Sequence, residues 1–293
     1  DGVSVEKDDT ENIWRLVRNE SDGSREEQVF TAMGVIISKD LPPIARETRF
    51  SNDKIRFLSQ YVRISGMGGT EFENTIIALR GLQQLGEREF QEGEVEEWTQ
   101  LTVQGQDTIE FSNRYFTPRS QSIEGDSVPF PTDVDPNSAL QRLAGTQWIH
   151  AEDNEVRYYR GATLTGAGGG GNRYIVAKPQ TFRVGDIVEV QTSMVFVKDK
   201  RGRVKMKTIL RAIAMVNCDI AMVSESLGKQ MWYLRVTKRA DRERKQAATG
   251  TPIMSATRMK RKIGFEEDED EDETGHRAKR RGDRTPEEMI AEE

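Results

Sequence analysis

The chain has 293 residues, with 43 lysines and arginines against 49 aspartates and glutamates and a formal net charge of -6. That balance excludes a uniformly basic nucleic-acid coat, although the charges are blocky enough to build local basic patches. Hydrophobic residues make up 35% and charged residues 31%, so part of the chain is expected to lie outside a packed core. The lone cysteine, Cys218, excludes an intrachain disulfide and a cysteine-based zinc site, and fits a reducing compartment. His150 and His276 lie far apart, so no metal centre and no cofactor is expected. No apolar run reaches the roughly 18–20 residues of a membrane span, and the acidic start lacks the apolar core of a signal peptide. No membrane partner is therefore expected. The first residue is Asp1, which fits a processed product, a fragment or an incomplete gene model.

In chain order, Ile13, Trp14, Leu16 and Val17 form an apolar island that fits a short strand or helix. Gly34 to Ile37 reads as a short strand stopped by Pro42 and Pro43. Ser51 and Asn52 precede Ile55, Leu58 and Val62 at helical spacing, which predicts a helix ended by Gly66 to Gly69. A second helix is predicted from about Asn74 to Leu85, followed by an acidic stretch from Glu87 to Val103 anchored by Trp98. Residues 1–111 thus read as a helical N-terminal region. Pro118, Pro129, Pro131 and Pro136 mark residues 112–137 as a linker.

Residues 138–245 read as an antiparallel β domain plus a helix. Thr146–His150 and Val156–Arg160 predict a hairpin around Glu152 to Glu155, and Arg173 to Ala177 a further strand. From Phe182 to Val197, Val188, Val190, Met194 and Phe196 alternate with Glu189, Gln191 and Ser193. Lys198 to Arg203 makes a turn. Lys205 to Val216 returns with Met206, Thr208, Leu210, Ala212, Ala214 and Val216 on one face. Ile220, Val223, Leu227, Met231 and Leu234 predict a coiled-coil-like helix from Asp219 to about Arg244. Residues 246–293 read as a disordered charged tail. The expected class is α+β, with a small antiparallel sheet or partly closed barrel.

In the tail, Lys260, Arg261 and Lys262 precede eight consecutive acids, Glu266 to Glu273, and then Arg277, Lys279, Arg280 and Arg281. Two basic clusters at this spacing read as a bipartite import signal, implying a nuclear location and an import receptor as partner.

The segments AGTQWIHAEDNEVRYYR, PQTFRVGDIVEVQTSMVFV and KMKTILRAIAMV, over about Ala144 to Val216, resemble a many-copy protein family of mushroom-forming fungi. That family has no assigned activity, so the resemblance implies a lineage and an association with mobile elements. Phe182, Gly185, Asp186, Val188 and Val190 are similar to the strand that enters bromo-adjacent-homology domains, which implies a chromatin partner.

Lys198, Lys200, Arg201, Arg203, Lys205, Lys207 and Arg211 form the basic cluster of the predicted fold and are the candidate nucleic-acid contacts, with Tyr158, Tyr159 and Tyr174 as stacking or core residues. Gly166 to Gly171 lacks the lysine and helix of a phosphate loop and reads as a hairpin loop. His150, Glu152 and Asp153 have no nucleophile nearby. The chain is therefore expected to be a non-enzymatic nuclear interaction module, with nucleic-acid binding through the basic hairpin or an enzyme of unrecognised type as alternatives.

Overall fold

The alternating pattern after Phe182 forms the longest strand pair in the molecule, and the rest of the chain is organised around it. The computed structural model describes residues 3–8, 12–19, 24–44, 55–103, 105–121, 127–163, 172–216 and 260–265. The strands are β1 (Val3–Lys7), β2 (Ile13–Asn19), β3 (Arg25–Glu27), β4 (Val29–Asp40), β5 (Ser59–Ser65), β6 (Leu101–Val103), β7 (Gln106–Arg114), β8 (Thr117–Pro118), β9 (Trp148–Ile149), β10 (Arg157–Thr163), β11 (Asn172–Val176), β12 (Ile187–Lys198), β13 (Val204–Met215) and β14 (Lys260–Arg261). The helices are α1 (Thr70–Glu87) and α2 (Ala139–Ala144).

Twelve strands share one sheet, in which β13, β7, β5, β4 and β12 follow one another and β12 pairs back to β13. Five strands thus close a ring. All neighbours in it are antiparallel except β7 and β13, which meet in parallel at Ser112 and Ile209. Strands make up 47% of the described residues, so the molecule is mainly β, and the α+β expectation holds only in part. The sheet is large rather than small.

The ring interior follows from period-two burial. Val62 and Ile64, Ile109 and Phe111, Val188, Val190, Met194 and Phe196, and Met206, Leu210 and Ile213 all join one core. Between Gln191 and Thr192 the β12–β13 register shifts, and Arg211 is the additional residue of β13 at that point. Such an insertion re-aims the chain. Beyond it Ile213 lies in the ring core, while Ala212 and Ala214 pack outside with Tyr159 and Phe265. The alternation expected to carry Ala212 and Ala214 inward is broken by this one residue.

Several expectations for the N-terminal half are corrected. The helix predicted through Val62 is strand β5, because Val62 and Ile64 point into the ring while Tyr61 and Arg63 point out, and β4 and β7 pair with it on both sides. β-branched and aromatic residues favour that pleated setting. Among its described residues, the region 1–111 expected to be helical contributes strands β1 to β7 beside the long helix α1. That helix was legible in the sequence, and it buries Phe72, Ile76, Leu79, Gln83 and Gly86. Gly86 is the point of closest approach: a Cβ there would lie 2.0 Å from Phe196 Cζ. The acidic stretch runs across the surface as coil and β6, tied down by Gln83 Oε1, which accepts the Trp98 amide at 2.8 Å.

Residues 112–137 are not a linker between separate bodies. β7 runs to Arg114, Phe116 is fully buried and Val134 joins the core. The predicted hairpin is also absent: β9 pairs with β8, whereas β10 pairs in parallel with β13 and antiparallel with β11. The predicted helix 219–244, Cys218 and Gly166 to Gly171 lie outside the described residues. Within the tail, however, residues 260–265 are folded, with β14 paired in parallel to β3. No helix among the described residues is long and apolar enough to cross a membrane.

Candidate nucleic-acid interface

The outward residues of β5, β7 and β13 form a continuous surface because those three strands adjoin in the ring. Register sets Ser59 opposite Arg114, Tyr61 opposite Ser112 and Arg63 opposite Glu110. Arg63 pairs with Glu110 at 2.5 Å, and its guanidinium lies 6.0 Å from the Tyr61 ring centre. The Tyr61 hydroxyl hydrogen-bonds Ser38 Oγ at 3.3 Å. Just before β5, Phe57 is 66% exposed, and the Arg56 guanidinium stands 4.4 Å from its ring centre.

Lys207 lies exposed on the β13 side of this surface. Partial burial, together with the Arg114 and Lys205 cations, holds its ammonium below the usual lysine range. The like charges acting on Lys207 mark a local concentration of positive potential, which an anion would relieve. Lys205 is shared, since its Nζ lies 2.9 Å from Glu96.

The hairpin tip is built by Asp199, whose carboxylate accepts the amides of Arg201 and Arg203 at 2.8 and 3.0 Å. Those bonds, the Arg203 amide first, hold its carboxyl below the usual range. Not all of the expected hairpin cations are available. Lys198 pairs with Glu94 at 3.0 Å and Arg203 with Glu96 at 3.1 Å, so the acidic stretch after α1 neutralises much of the cluster. Lys200 and Arg201 remain exposed at the tip.

Arg211 is removed from the interface altogether. Its side chain is 1% exposed and sits in a cluster with Arg15, Arg261, Glu27 and Asp153. Its Nη2 donates to Glu27 at 3.0 Å, its Nη1 to the Asp153 carbonyl at 2.8 Å and its Nε to Ser193 Oγ at 2.7 Å. Arg15 reaches Asp8, Glu27 and Asp153 at 3.0, 3.3 and 2.6 Å. Burial alone would raise the Glu27 carboxyl, but Arg211, Arg261 and Arg15 outweigh it and bring it down to about 2. The same arginines hold Asp153 far below the usual range against its own burial.

Of the tyrosines raised as stacking residues, Tyr158 and Tyr159 are buried, with Tyr158 donating to Gln60 inside the molecule, and Tyr174 is half-buried against Phe265. His150 is also buried, with Nδ1 at 2.9 Å from the Tyr115 carbonyl and its ring stacked on Phe130. Burial lowers its basicity. No group of ligating side chains that could hold a metal occurs among the described residues.

Of the import residues, Lys260, Arg261 and Lys262 are described, and Arg277, Lys279, Arg280 and Arg281 lie outside. Arg261 is 7% exposed and paired with Glu27 and Asp153, so it is not free for a receptor in this conformation. Reasoning from sequence passed over Arg56, Phe57, Tyr61, Arg63 and Arg114. Once β5 was read as a helix, nothing set Tyr61 and Arg63 on one side beside Lys207.

No protein-family model matches the sequence, and no curated protein matches it. One solved structure similar to this chain is gp2.5, a single-stranded DNA binding protein encoded by bacteriophage T7. It is 11% identical, with 65% of this chain and 92% of that chain covered and a TM-score of 0.30. That overlap carries no weight for what this chain binds.

Proposed function

We propose that the chain binds single-stranded nucleic acid across the outer face of β5, β7 and β13. The observation that carries this reading is the exposed Lys207 of β13, on which Arg114 and Lys205 are the charges that act most, on the outer face it shares with Tyr61 of β5. Phosphates supply the anion that Lys207 lacks among the described residues, and base rings stack on exposed aromatics such as Phe57. Fold-level analogy points to the same place. Taken in chain order, the ring strands are β4, β5, β7, β12 and β13. Five-stranded oligonucleotide-binding folds carry their ligand on the second and third strands and on the loops after the first and fourth. Those positions here hold Tyr61, Arg63 and Arg114, then Arg56 and Phe57, then Lys200 and Arg201. Fold alone does not assign function, so the weight rests on the residues.

The test is fluorescence anisotropy of the full chain with labelled mixed-sequence single strands over a salt series. Affinity should fall with salt. Replacing Arg114, Lys205 and Lys207 together by Gln should flatten the slope of log K against log salt by about 2, at roughly 0.7 per lost phosphate contact. An unchanged slope, or tighter binding to duplex than to single strands, would overturn the reading. A nuclear location, read from the tail, belongs to the same proposal. It fails if a reporter fused to residues 250–293 stays cytoplasmic.

A further inference from the structure

The six residues from Lys260 to Phe265 are held in a groove whose contacts read the peptide residue by residue. Arg261 enters the buried cluster and donates to Glu27 and Asp153. Arg157 Nη1 donates to the Ile263 carbonyl at 3.0 Å. The Gln191 side-chain amide engages Gly264 twice, donating from Nε2 to its carbonyl and accepting its amide at Oε1, both at 2.9 Å. Gly264 has a φ of +131°, and a Cβ there would meet the Tyr159 hydroxyl at 3.1 Å, so the position favours glycine. Phe265 is 5% exposed, with ring centres 5.4 Å from Tyr159 and 4.7 Å from Tyr174. The backbone extends the sheet only briefly, by pairing Lys260 with Glu26 and Arg261 with Glu27.

This is the pattern of peptide recognition by strand addition, in which main-chain bonds hold the ligand and pockets choose its side chains. We propose that the groove between β3, β10 and β12 is a reversible docking site for an extended peptide of the form Arg-x-x-Gly-aromatic. Its resident ligand is this chain's own residues 260–265, bound in cis. Docking withdraws Arg261 from the surface, so the basic cluster Lys260, Arg261 and Lys262 is presented whole only when the segment leaves. The segment adds only two residues to the sheet edge, against twelve in each of β12 and β13, so its release is a local opening that leaves the ring intact. Segment and groove belong to one chain, so rebinding is intramolecular and is favoured over capture of a free peptide by the effective concentration that linkage supplies.

The test uses the full chain and a fluorescent peptide spanning residues 259–266. The native chain should not bind micromolar peptide, since its own segment competes. The Phe265→Ala chain should bind it, and a peptide carrying Gly264→Val should not bind. Trypsin cleavage after Arg261 and Lys262 should rise at least tenfold in Phe265→Ala. Failure of the variant to bind peptide, or equal cleavage of both chains, overturns the proposal. Hydrogen exchange on the native chain gives a reading independent of any variant. The Gly264 amide should be protected yet exchange well before the β12 and β13 amides, at a rate independent of protein concentration. Exchange together with β12 and β13 would make the segment an integral strand. An unprotected Gly264 amide would mean no docking, and concentration-dependent protection would mean exchange between copies. Each of these three results overturns docking in cis. None of the readouts involves nucleic acid, so failure here leaves the interface on β5, β7 and β13 untouched.

Discussion

Arg211 and Lys207 stand four positions apart on β13, and both side chains lie outside the ring core, yet their surroundings are opposite. Arg211 is fully buried and meets Glu27, the Asp153 carbonyl and Ser193. Lys207 is exposed, and the charges that act on it most are Arg114 and Lys205. One strand therefore carries a cation whose charge is spent on holding the structure together and a cation whose charge is left facing outward. The difference arises from what covers the strand. β2, β3, β14 and the turn at Asp153 close over the Arg211 end and bring three arginines to two central carboxylates, Glu27 and Asp153. Nothing comparable closes over the surface that Lys207 shares with β5 and β7 among the described residues.

The sharpest way to break this comparison is the same substitution at both positions. Arg211→Met should destabilise the protein by about 3–5 kcal/mol, because removing one partner from a buried ionic group leaves the others desolvated and unbalanced. Urea unfolding followed by tryptophan fluorescence measures this directly. A loss below about 1 kcal/mol would mean that the cluster is solvated and contributes little.

Acid provides the next largest effect, and it falls on the ionic cluster. Glu27 titrates at about 2 in the folded protein against an ordinary 4.5. A carboxyl depressed by folding contributes stability that is complete above its unfolded value and lost as the pH falls through the folded one. The stabilisation from Glu27 should therefore be full above about pH 5 and decline between about 4.5 and 2, by about 3 kcal/mol in total. Asp153, shifted in the same direction, steepens that decline. Acid should thus loosen residues 260–265 and the cluster. Stability that stays flat from pH 5 to 3 would show that the two carboxylates are not held by the arginines.

The two regions also differ in how much of them was legible in the sequence. The β12 and β13 strands, their turn at Asp199 and helix α1 follow from local period and turn chemistry, and the structure has them within a few residues of where the pattern places them. The ionic cluster draws Arg15, Glu27, Asp153, Arg211 and Arg261 from five distant points of the chain, so no window of sequence contains it. Arg211 was read as a surface cation because the residues that cover it, Glu27 and Asp153, lie far from it in the chain. Arg261 was read as part of an exposed signal because its partners, Glu27 and Asp153, come from β3 and the turn after β9. The outer face of β5 was missed for a different reason: Ile55, Leu58 and Val62 also fit a helical spacing over so short a segment. Only the flanking strands β4 and β7 decide between the two periods.

Lys207→Met completes the comparison with the smallest effect on folding. The ammonium sits among like charges and has no ion pair to a carboxylate among the described residues, so removing it relieves repulsion and costs no buried bond. The change in stability should lie within about 0.5 kcal/mol of zero, on the stabilising side, as for other surface substitutions away from such features. In the same experiment nucleic-acid affinity should fall, and the salt slope should flatten by about 0.7, the share of one phosphate contact on a single strand. A group selected for folding would show the reverse ordering, as Arg211→Met should: a large loss in the urea midpoint. If Lys207→Met proves as costly as Arg211→Met, the charge on the open face is structural and the interface assigned to it is wrong. If it is harmless to folding and costs binding, the two ends of β13 are separated by function as well as by burial.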